Sequence, residues 1–455
     1  MTPPVKAVTA TVTQRLAEFV SLSSEDVPQT ALEAAIAAVI DTVACGLRGS
    51  SLPVSQAVRA AVNLQGMPGR FMCFDGSKTQ SAAQAAYINA TAAHSLELDD
   101  TDAIGLTHPG VVIIPAALAA TQELPVTGRQ FLEAVIVGYD VAVRLSRWVN
   151  PEHRIRGFHT TATVTSLGAV AAVARLRGMS TEQCASAMGI ALSYAGGTFE
   201  FVQAGSNLKR VHAGKASSTA VQSCDLAVCG VEGPFTALEG NHGFYATSVG
   251  PNMPELDLSD LGRNFVIEEV GTKRHACCRF CHTAIDAAIE LFKQNVCVFP
   301  DSLIEVAVSS LCHEQTGGQA PKNELQRQFS TPYGVALGLL YGRTTLSDFQ
   351  DCPDEAALAL ARRVRMVADL SLEPRNRRAT VRVMSGASVV EKQLDEPRGE
   401  PTSPFTADER FEKYLSLTSK FTSPTMAGYL HEGLSRLSVS PRMAPVIDLI
   451  AAATA

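Results

Sequence analysis

Four short segments of this chain gather the residue types that move protons and hold anions. The first is His94-Ser-Leu-Glu-Leu-Asp-Asp-Thr101, followed by Thr107-His108-Pro109-Gly110; it sets Glu97, Asp99, Asp100 and Asp102 close together in an otherwise apolar neighbourhood. Carboxylates crowded beside histidine shift one another's pKa toward acid and base work. The same residues also suit a helix cap and a turn, since Asp and Thr are good N-caps and Pro109 can open a helix. The second segment, Gly157-Phe-His159-Thr-Thr161, puts a histidine at the start of an Ala-rich stretch, where capping and surface histidines are common. The third, Lys209-Arg-Val-His212-Ala-Gly214-Lys215, concentrates cations where a helix is expected from about residue 213. Free backbone N–H groups at a helix start add to such charge and make a carboxylate or phosphate site. A solvated basic patch accounts for it equally well. It is not a phosphate-binding loop, because Lys209 stands where that motif needs glycine.

The fourth segment, Lys273-Arg274-His-Ala-Cys-Cys278-Arg279-Phe-Cys281-His282, invites two other readings. Cys278-x-x-Cys281-His282 fits a haem-attachment pattern, and the same residues are zinc ligand types. Haem attachment goes with export, and no second ligand pair follows at zinc spacing. The simpler reading has Lys273, Arg274 and Arg279 supplying positive charge while the cysteines pack. No Gly-rich dinucleotide fingerprint and no nucleophile elbow are present.

These segments sit in a chain of 455 residues with 46% apolar and 18% charged residues and a net charge of −7. That length can bury a large core, with two domains as the default. The acidic balance argues against nucleic acid as a partner. The 11 cysteines are scattered rather than arranged as a disulfide framework. Residues 1–20 carry Lys6, Arg15 and Glu18 and lack the apolar core of a secretory signal, and no apolar run reaches the length of a membrane span. The expectation is a cytoplasmic protein with no membrane partner.

The elements that must position the four segments are mostly helices. Leu32, Ala35, Ile36, Val39, Ile40, Val43 and Leu47 follow helical spacing, and Ser81 to Leu96 is Ala-rich. Thr127 with Gln130, and Ser180 with Gln183, make capping-box patterns before apolar stretches. Faces dense in Ala, Gly and Ser predict close helix–helix approach. After Phe265 the pattern changes. Ile304 to Leu311 reads as a strand, and Ala379–Ser385 with Ser388–Leu394 reads as a hairpin about Gly386. Helices are expected at about 282–295, 330–342 and 354–369. Residues 396–404, rich in proline, read as a linker. The expected fold is mainly α: a large helical domain from residues 1–265 and 405–455, and a smaller inserted α+β lid from 266–404.

Taken together, the segments resemble one family, the MmgE/PrpD proteins. The matching pieces are His94 to Thr101, His108-Pro109, Gly157 to Thr161, Lys209 to Gly214, Lys273 to Cys278, and Gln328-Phe-Ser-Thr-Pro-Tyr333, in order across almost the whole chain. The family includes 2-methylcitrate dehydratases, cis-aconitate decarboxylases and iminodisuccinate epimerases. The resemblance implies a large helical domain with a smaller lid, a site between them, a homodimer, and no metal or organic cofactor. It implies a lyase acting on a small di- or tricarboxylic acid, with epimerisation of a dicarboxylate or non-catalytic carboxylate binding as alternatives.

Carried over residue by residue, the resemblance makes Asp99, Thr101, His108, His159, Lys209 and Lys273 the catalytic set. His108 and His159 would transfer protons, Lys209 and Lys273 would anchor carboxylates, and Asp99 and Thr101 would orient them. Glu97, Asp100, Arg210, His212, Arg274 and Cys278 would contact substrate. Three features depart from the family pattern: Glu97 stands where Asp is frequent, Cys278 stands where some decarboxylases have His, and the segment from Thr101 to His108 is a residue longer.

Overall fold

A computed structural model describes residues 10–22, 27–64, 66 and 69–454. Helices dominate it. Gln29–Gly49, Ala82–Ala93, Gly110–Thr121, Gly128–Val149, Thr165–Arg177, Thr181–Ser193 and Leu208–Val228 pack on one another as a bundle. Both capping boxes form: Thr127 with Gln130 opens the Gly128–Val149 helix, and Ser180 with Gln183 opens Thr181–Ser193. Each N-cap side chain satisfies an amide that the helix leaves free, worth about 1 kcal/mol.

The small-residue faces allow the close approach expected of them. A Cβ on Gly138 would stand 2.7 Å from the Gly168 carbonyl oxygen, and one on Gly168 would stand 2.4 Å from that of Gly138. The Gly128–Val149 and Thr165–Arg177 helices therefore touch backbone to backbone. Gly110–Thr121 is buried along its whole length, as its nearly uniform apolar sequence requires. The Gln29–Gly49 helix is long and apolar enough to cross a membrane by length and composition, although it carries Glu33, Asp41 and Arg48; here it lies among the helices, with Leu32, Val39, Val43 and Leu47 in the core.

A short ribbon, β1 (Phe71–Met72) and β2 (Lys78–Thr79), is followed much later by a four-stranded sheet. Its strands are β3 (Leu303–Val308), β4 (Val364–Ala368), β5 (Ala379–Ser385) and β6 (Ser388–Leu394), in the order β4-β3-β5-β6. The hairpin forms where it was read, with Val383 opposite Val390 and Gly386 at a φ of 60° in its turn. Ile304, Val306 and Val308 alternate inward with Val381 and Val383, and the Arg279–Lys293 and Thr331–Tyr341 helices cover that face.

The helix expected over 354–369 is corrected. Glu355–Ala361 is helical, but residues 364–368 form β4, parallel to β3 with Ile304 opposite Val364. An Ala- and Leu-rich helix runs straight into Val364-Arg-Met-Val, and the change of period is too short to stand out. The C-terminal helices divide between two cores. Tyr414 and Leu417 join the apolar cluster of the sheet region, whereas Leu430, Leu434, Val446 and Ile450 join that of the Gln29–Gly49 helix.

Candidate active site

The Ala82–Ala93 helix tightens into a single turn at His94–Leu96, and Glu97 then adopts a left-handed backbone with a φ of 56°. A non-glycine residue there is strained, and such strain concentrates at functional positions. The turn aims the Glu97 carboxylate at the start of the Leu208–Val228 helix. That helix begins at Leu208 rather than near 213, so Lys209 lies in its first turn. Gly214 sets the distance: a Cβ there would meet the Thr91 hydroxyl at 2.2 Å and the Tyr87 carbonyl oxygen at 2.7 Å. With the helices that close, Lys209 donates to one oxygen of Glu97, and Lys273 lies 3.3 Å from the other.

Lys273 arrives on an extended segment tied to the first motif. Thr101 and Gly271 exchange both backbone hydrogen bonds at 2.9 Å. Glu97, Asp99 and Lys273 are fully buried. Burial pushes the Glu97 carboxyl up, but Lys209 and Lys273 outweigh it and hold the group well below the usual range. The lysines differ. Burial lowers Lys209, and Lys273 lowers it further against the pull of Glu97. Lys273 is also penalised by burial, yet Glu97 and Asp99 together raise it. Lys273 is a fixed cation, and Lys209 is the lysine whose proton is easier to move.

Asp99 holds two histidines. One of its oxygens is 2.9 Å from His94 Nδ1 and 3.2 Å from His108 Nδ1. His108 Nδ1 also lies 2.7 Å from the Asp100 carbonyl oxygen, which can only accept, so this nitrogen carries the proton and Nε2 keeps its lone pair. Burial and the charge of Lys273 lower His108 to about 4 despite Asp99, so the ring is neutral at pH 7. Burial also raises Asp99, but His94, His108 and Lys273 overcome this and keep it an anion. His159 stacks on His94 with ring centroids 6.1 Å apart, and its Nδ1 is 3.1 Å from His212 Nδ1. Burial, His212 and Lys209 lower His159 well below its ordinary value.

A cavity of about 50 Å³ joins these groups to the sheet region. Glu97, Thr101, His108, Arg154, His159 and Lys209 line it from the helical side; Cys278, Arg279, Gln315 and Arg377 line it from the other. Cys278 caps the Arg279–Lys293 helix, and its sulfur accepts from Gln315 at 3.2 Å. Burial pushes its thiol well up, so it is uncharged.

Four expected contacts do not line the cavity. The Asp100 carboxylate accepts from the Tyr139 hydroxyl at 2.6 Å and from the Gly110 amide at 3.1 Å, anchoring the helix behind His108. Arg210 donates to Gln328 and lies 3.6 Å from Glu324, outside the cavity. Arg274 is half-exposed and directed toward Asp286, 3.5 Å away. His212 does not reach the cavity wall but backs His159. Arg154, Gln315 and Arg377 were not anticipated, since each is an ordinary polar residue in a polar stretch with no motif around it. His94 stood in the first motif, but its partnership with Asp99 shows only in three dimensions.

Among the described residues, one group has ligand atoms close enough for a metal ion: His94, Asp99 and His108, within 4.8 Å of one another. Asp99 is already paired with the Nδ1 of each histidine. In the Cys278-x-x-Cys281-His282 pattern the two thiols lie side by side, but His282 does not join them; its ring sits beside Arg279 and the Cys277 carbonyl oxygen. All eleven cysteines are unpaired.

A helical bundle and an α+β unit closing on a buried set of His, Lys and Glu define the class of protein. The chain belongs to the MmgE/PrpD family: the MmgE/PrpD N-terminal domain matches residues 14–257 and the C-terminal domain matches 275–427. It is similar to the cis-aconitate decarboxylase-like protein oryM of Aspergillus oryzae, at 26% identity over 96% of this chain and 97% of the relative. It is also similar to the cis-aconitate decarboxylase of Aspergillus terreus, at 23% over 96% of each chain, and to the human cis-aconitate decarboxylase, at 28% over 59% of this chain and 57% of the relative.

Proposed function

We propose that this protein is a lyase that decarboxylates a small polycarboxylate of the cis-aconitate kind by proton transfer within the Glu97–Lys209–His108–His159 cavity. The observation that carries this reading is the pairing of neutral, buried histidines with a lysine–carboxylate cluster on one wall. The names of the relatives support decarboxylation over dehydration or epimerisation.

Loss of CO₂ breaks a carbon–carbon bond and leaves its electron pair on the substrate, conjugated with the neighbouring carboxylates. That anion needs fixed positive charge where it forms and one proton to quench it. Lys273 supplies permanent charge through Glu97. Lys209 is placed to stabilise the anion or to deliver the proton. His108 offers a free Nε2, and Asp99 locks its tautomer as a carboxylate does for a catalytic imidazole. His159, backed by His212, is the second proton carrier. In the arrangement described, the cavity has room for a few waters and no more. Substrate therefore enters when the sheet region and the bundle part, and their closure then excludes water from the anion.

Proton NMR of the EDTA-treated protein in D₂O with cis-aconitate, citrate, 2-methylcitrate and iminodisuccinate tests the reading. Decarboxylation yields a new vinylidene signal, free CO₂ and one deuterium on carbon. Deuterium exchange without loss of carbon would replace decarboxylation by epimerisation, and an alkene formed with water loss would replace it by dehydration. Light scattering checks the homodimer that the family resemblance implies.

A further inference from the structure

The two walls of the cavity are not equally neutralised. On the bundle side, Lys209 and Lys273 share Glu97, and Asp99 lies behind. The rest of the lining carries Arg154, from the short Glu152–Ile155 helix, with Arg279 and Arg377 from the sheet side; among the described residues only Arg279 of these three has a carboxylate partner, Glu400, at 2.7 Å. Around the cavity five cations face three carboxylates, Glu97, Asp99 and Glu400. Arg279, Arg377 and Glu400 are buried.

The guanidinium groups also have unused donors. Arg377 Nε and Nη1, Arg279 Nη2 and Arg154 Nε are buried and without hydrogen-bond partners among the described residues. Arg377 is 6% exposed; it spends one nitrogen on the Ala103 carbonyl oxygen at 3.3 Å and rests over the Phe280 ring at 4.4 Å. Arg154 lies 3.4 Å over the Phe199 ring and donates to Gln315 at 3.2 Å. Aromatic faces and one amide hold the planar groups in place but cancel no charge. Glu314 and Glu396 are within electrostatic reach of Arg154 and Arg377, but both are exposed to solvent. Buried guanidinium N–H groups left unsatisfied are costly, and a surplus of buried positive charge more so. Both costs vanish if an anion with planar acceptor oxygens occupies the space between them.

We infer that Arg154, Arg279 and Arg377 form a second carboxylate subsite, which selects tricarboxylates over dicarboxylates. Glu97, Lys209 and Lys273 face the reacting end of the substrate, and the arginines bind a carboxylate at the far end. The inference rests on the polycarboxylate reading of the cavity but not on the reaction that follows. Arginine suits the task because it stays charged and offers two parallel donors to one carboxylate. Binding at a remote carboxylate also fixes which carboxylate is left to react.

The test uses two unreactive probes that differ by one carboxylate, propane-1,2,3-tricarboxylate and glutarate, with affinities measured by calorimetry on the full chain. Wild-type protein is expected to prefer the tricarboxylate at least tenfold. Arg377→Gln and Arg154→Gln should bring that ratio close to one by weakening the tricarboxylate alone, and Arg377→Lys should restore part of it. Arg154 is less buried than Arg377, so its variant keeps the test open if Arg377→Gln fails to fold. An unchanged ratio in the folded variants, or equal weakening of both acids, overturns the subsite. If the ratio collapses as expected while no acid is turned over, the subsite stands and the lyase reading falls. Turnover with an unchanged ratio sinks the subsite alone.

Discussion

The two walls of the cavity solve the burial of charge in opposite ways. The bundle wall is internally balanced: Glu97 sits between two lysines, and Asp99 between two neutral histidines. The arginine wall, built by Arg279 and Arg377 of the sheet side with Arg154 from the helical side, is left positive, with unpaired guanidinium donors. A balanced wall can hold its geometry without a ligand, which a proton-transferring group needs. An unbalanced wall gains its partner only when the substrate arrives. One wall is thus set up for chemistry and the other for recognition, and variants should separate them.

The largest effect should come from breaking the balance. Glu97→Ala leaves Lys209 and Lys273 buried and facing each other without their carboxylate. Breaking a buried pair from one side costs about 3–5 kcal/mol. Urea unfolding should show that loss, with turnover abolished, while Glu97→Gln should lose less stability because its oxygen still accepts. A Glu97→Ala variant as stable as the parent would mean that the lysines are not charged together in the native protein.

Next in size is His159→Ala. If this ring carries a proton in the reaction, turnover should fall by about 10²–10⁴-fold, measured at a temperature where the variant is folded, since removing a buried ring also costs some stability. A decrease of less than about tenfold in kcat would remove His159 from the proton path and leave His108 with Lys209.

His108 gives a prediction with a definite sign in pH. Its folded pKa is lowered to about 4, while the unfolded ring titrates near 6.5. Between those values the unfolded chain binds more protons, so this residue destabilises the protein as the pH falls through the window. His108→Gln cannot take up the proton. Relative to wild type, the variant should therefore gain ground from pH 7 to pH 4.5 by about 2.4 kcal/mol, seen as converging urea midpoints. Parallel curves would show that His108 is not held neutral, and the Nε2 base would go with it.

Much of this was legible before the fold was known, and the reasons are specific. Helices with capping boxes and apolar periods announce themselves locally, so Gly128–Val149 and the β5–β6 hairpin fall where they were read. The bundle wall was visible because its residues cluster in the chain: His94 to His108 covers most of it. Strand β4 was hidden behind an Ala-rich helix, since parallel pairing with β3 is a long-range fact. Asp100 and Arg210 were misplaced for a related reason. In a run such as Glu-Leu-Asp-Asp, spacing cannot say which carboxylate faces inward, and here Tyr139 and Gly110 turn Asp100 away. The arginine wall left no local trace, because Arg154, on a short helix, and Arg377, in a polar loop, are far apart in the chain and come together only at the cavity.

The smallest expected effect bears most directly on that wall. Arg154→Lys keeps the positive charge but loses the planar fork and its seat on Phe199. If the wall works by charge alone, KM for a tricarboxylate substrate should barely change. If it works by paired donors to one carboxylate, KM should rise about tenfold, equivalent to about 1.4 kcal/mol of binding, with kcat nearly unchanged. The bundle wall predicts the reverse pattern. Lys209→Arg keeps the charge too, but its effect should fall on kcat, because an arginine does not release a proton in the working pH range. Measuring both variants on one substrate sets the walls side by side. A matched loss of kcat in both would merge them into a single catalytic surface, and the division between chemistry and recognition would have to be abandoned.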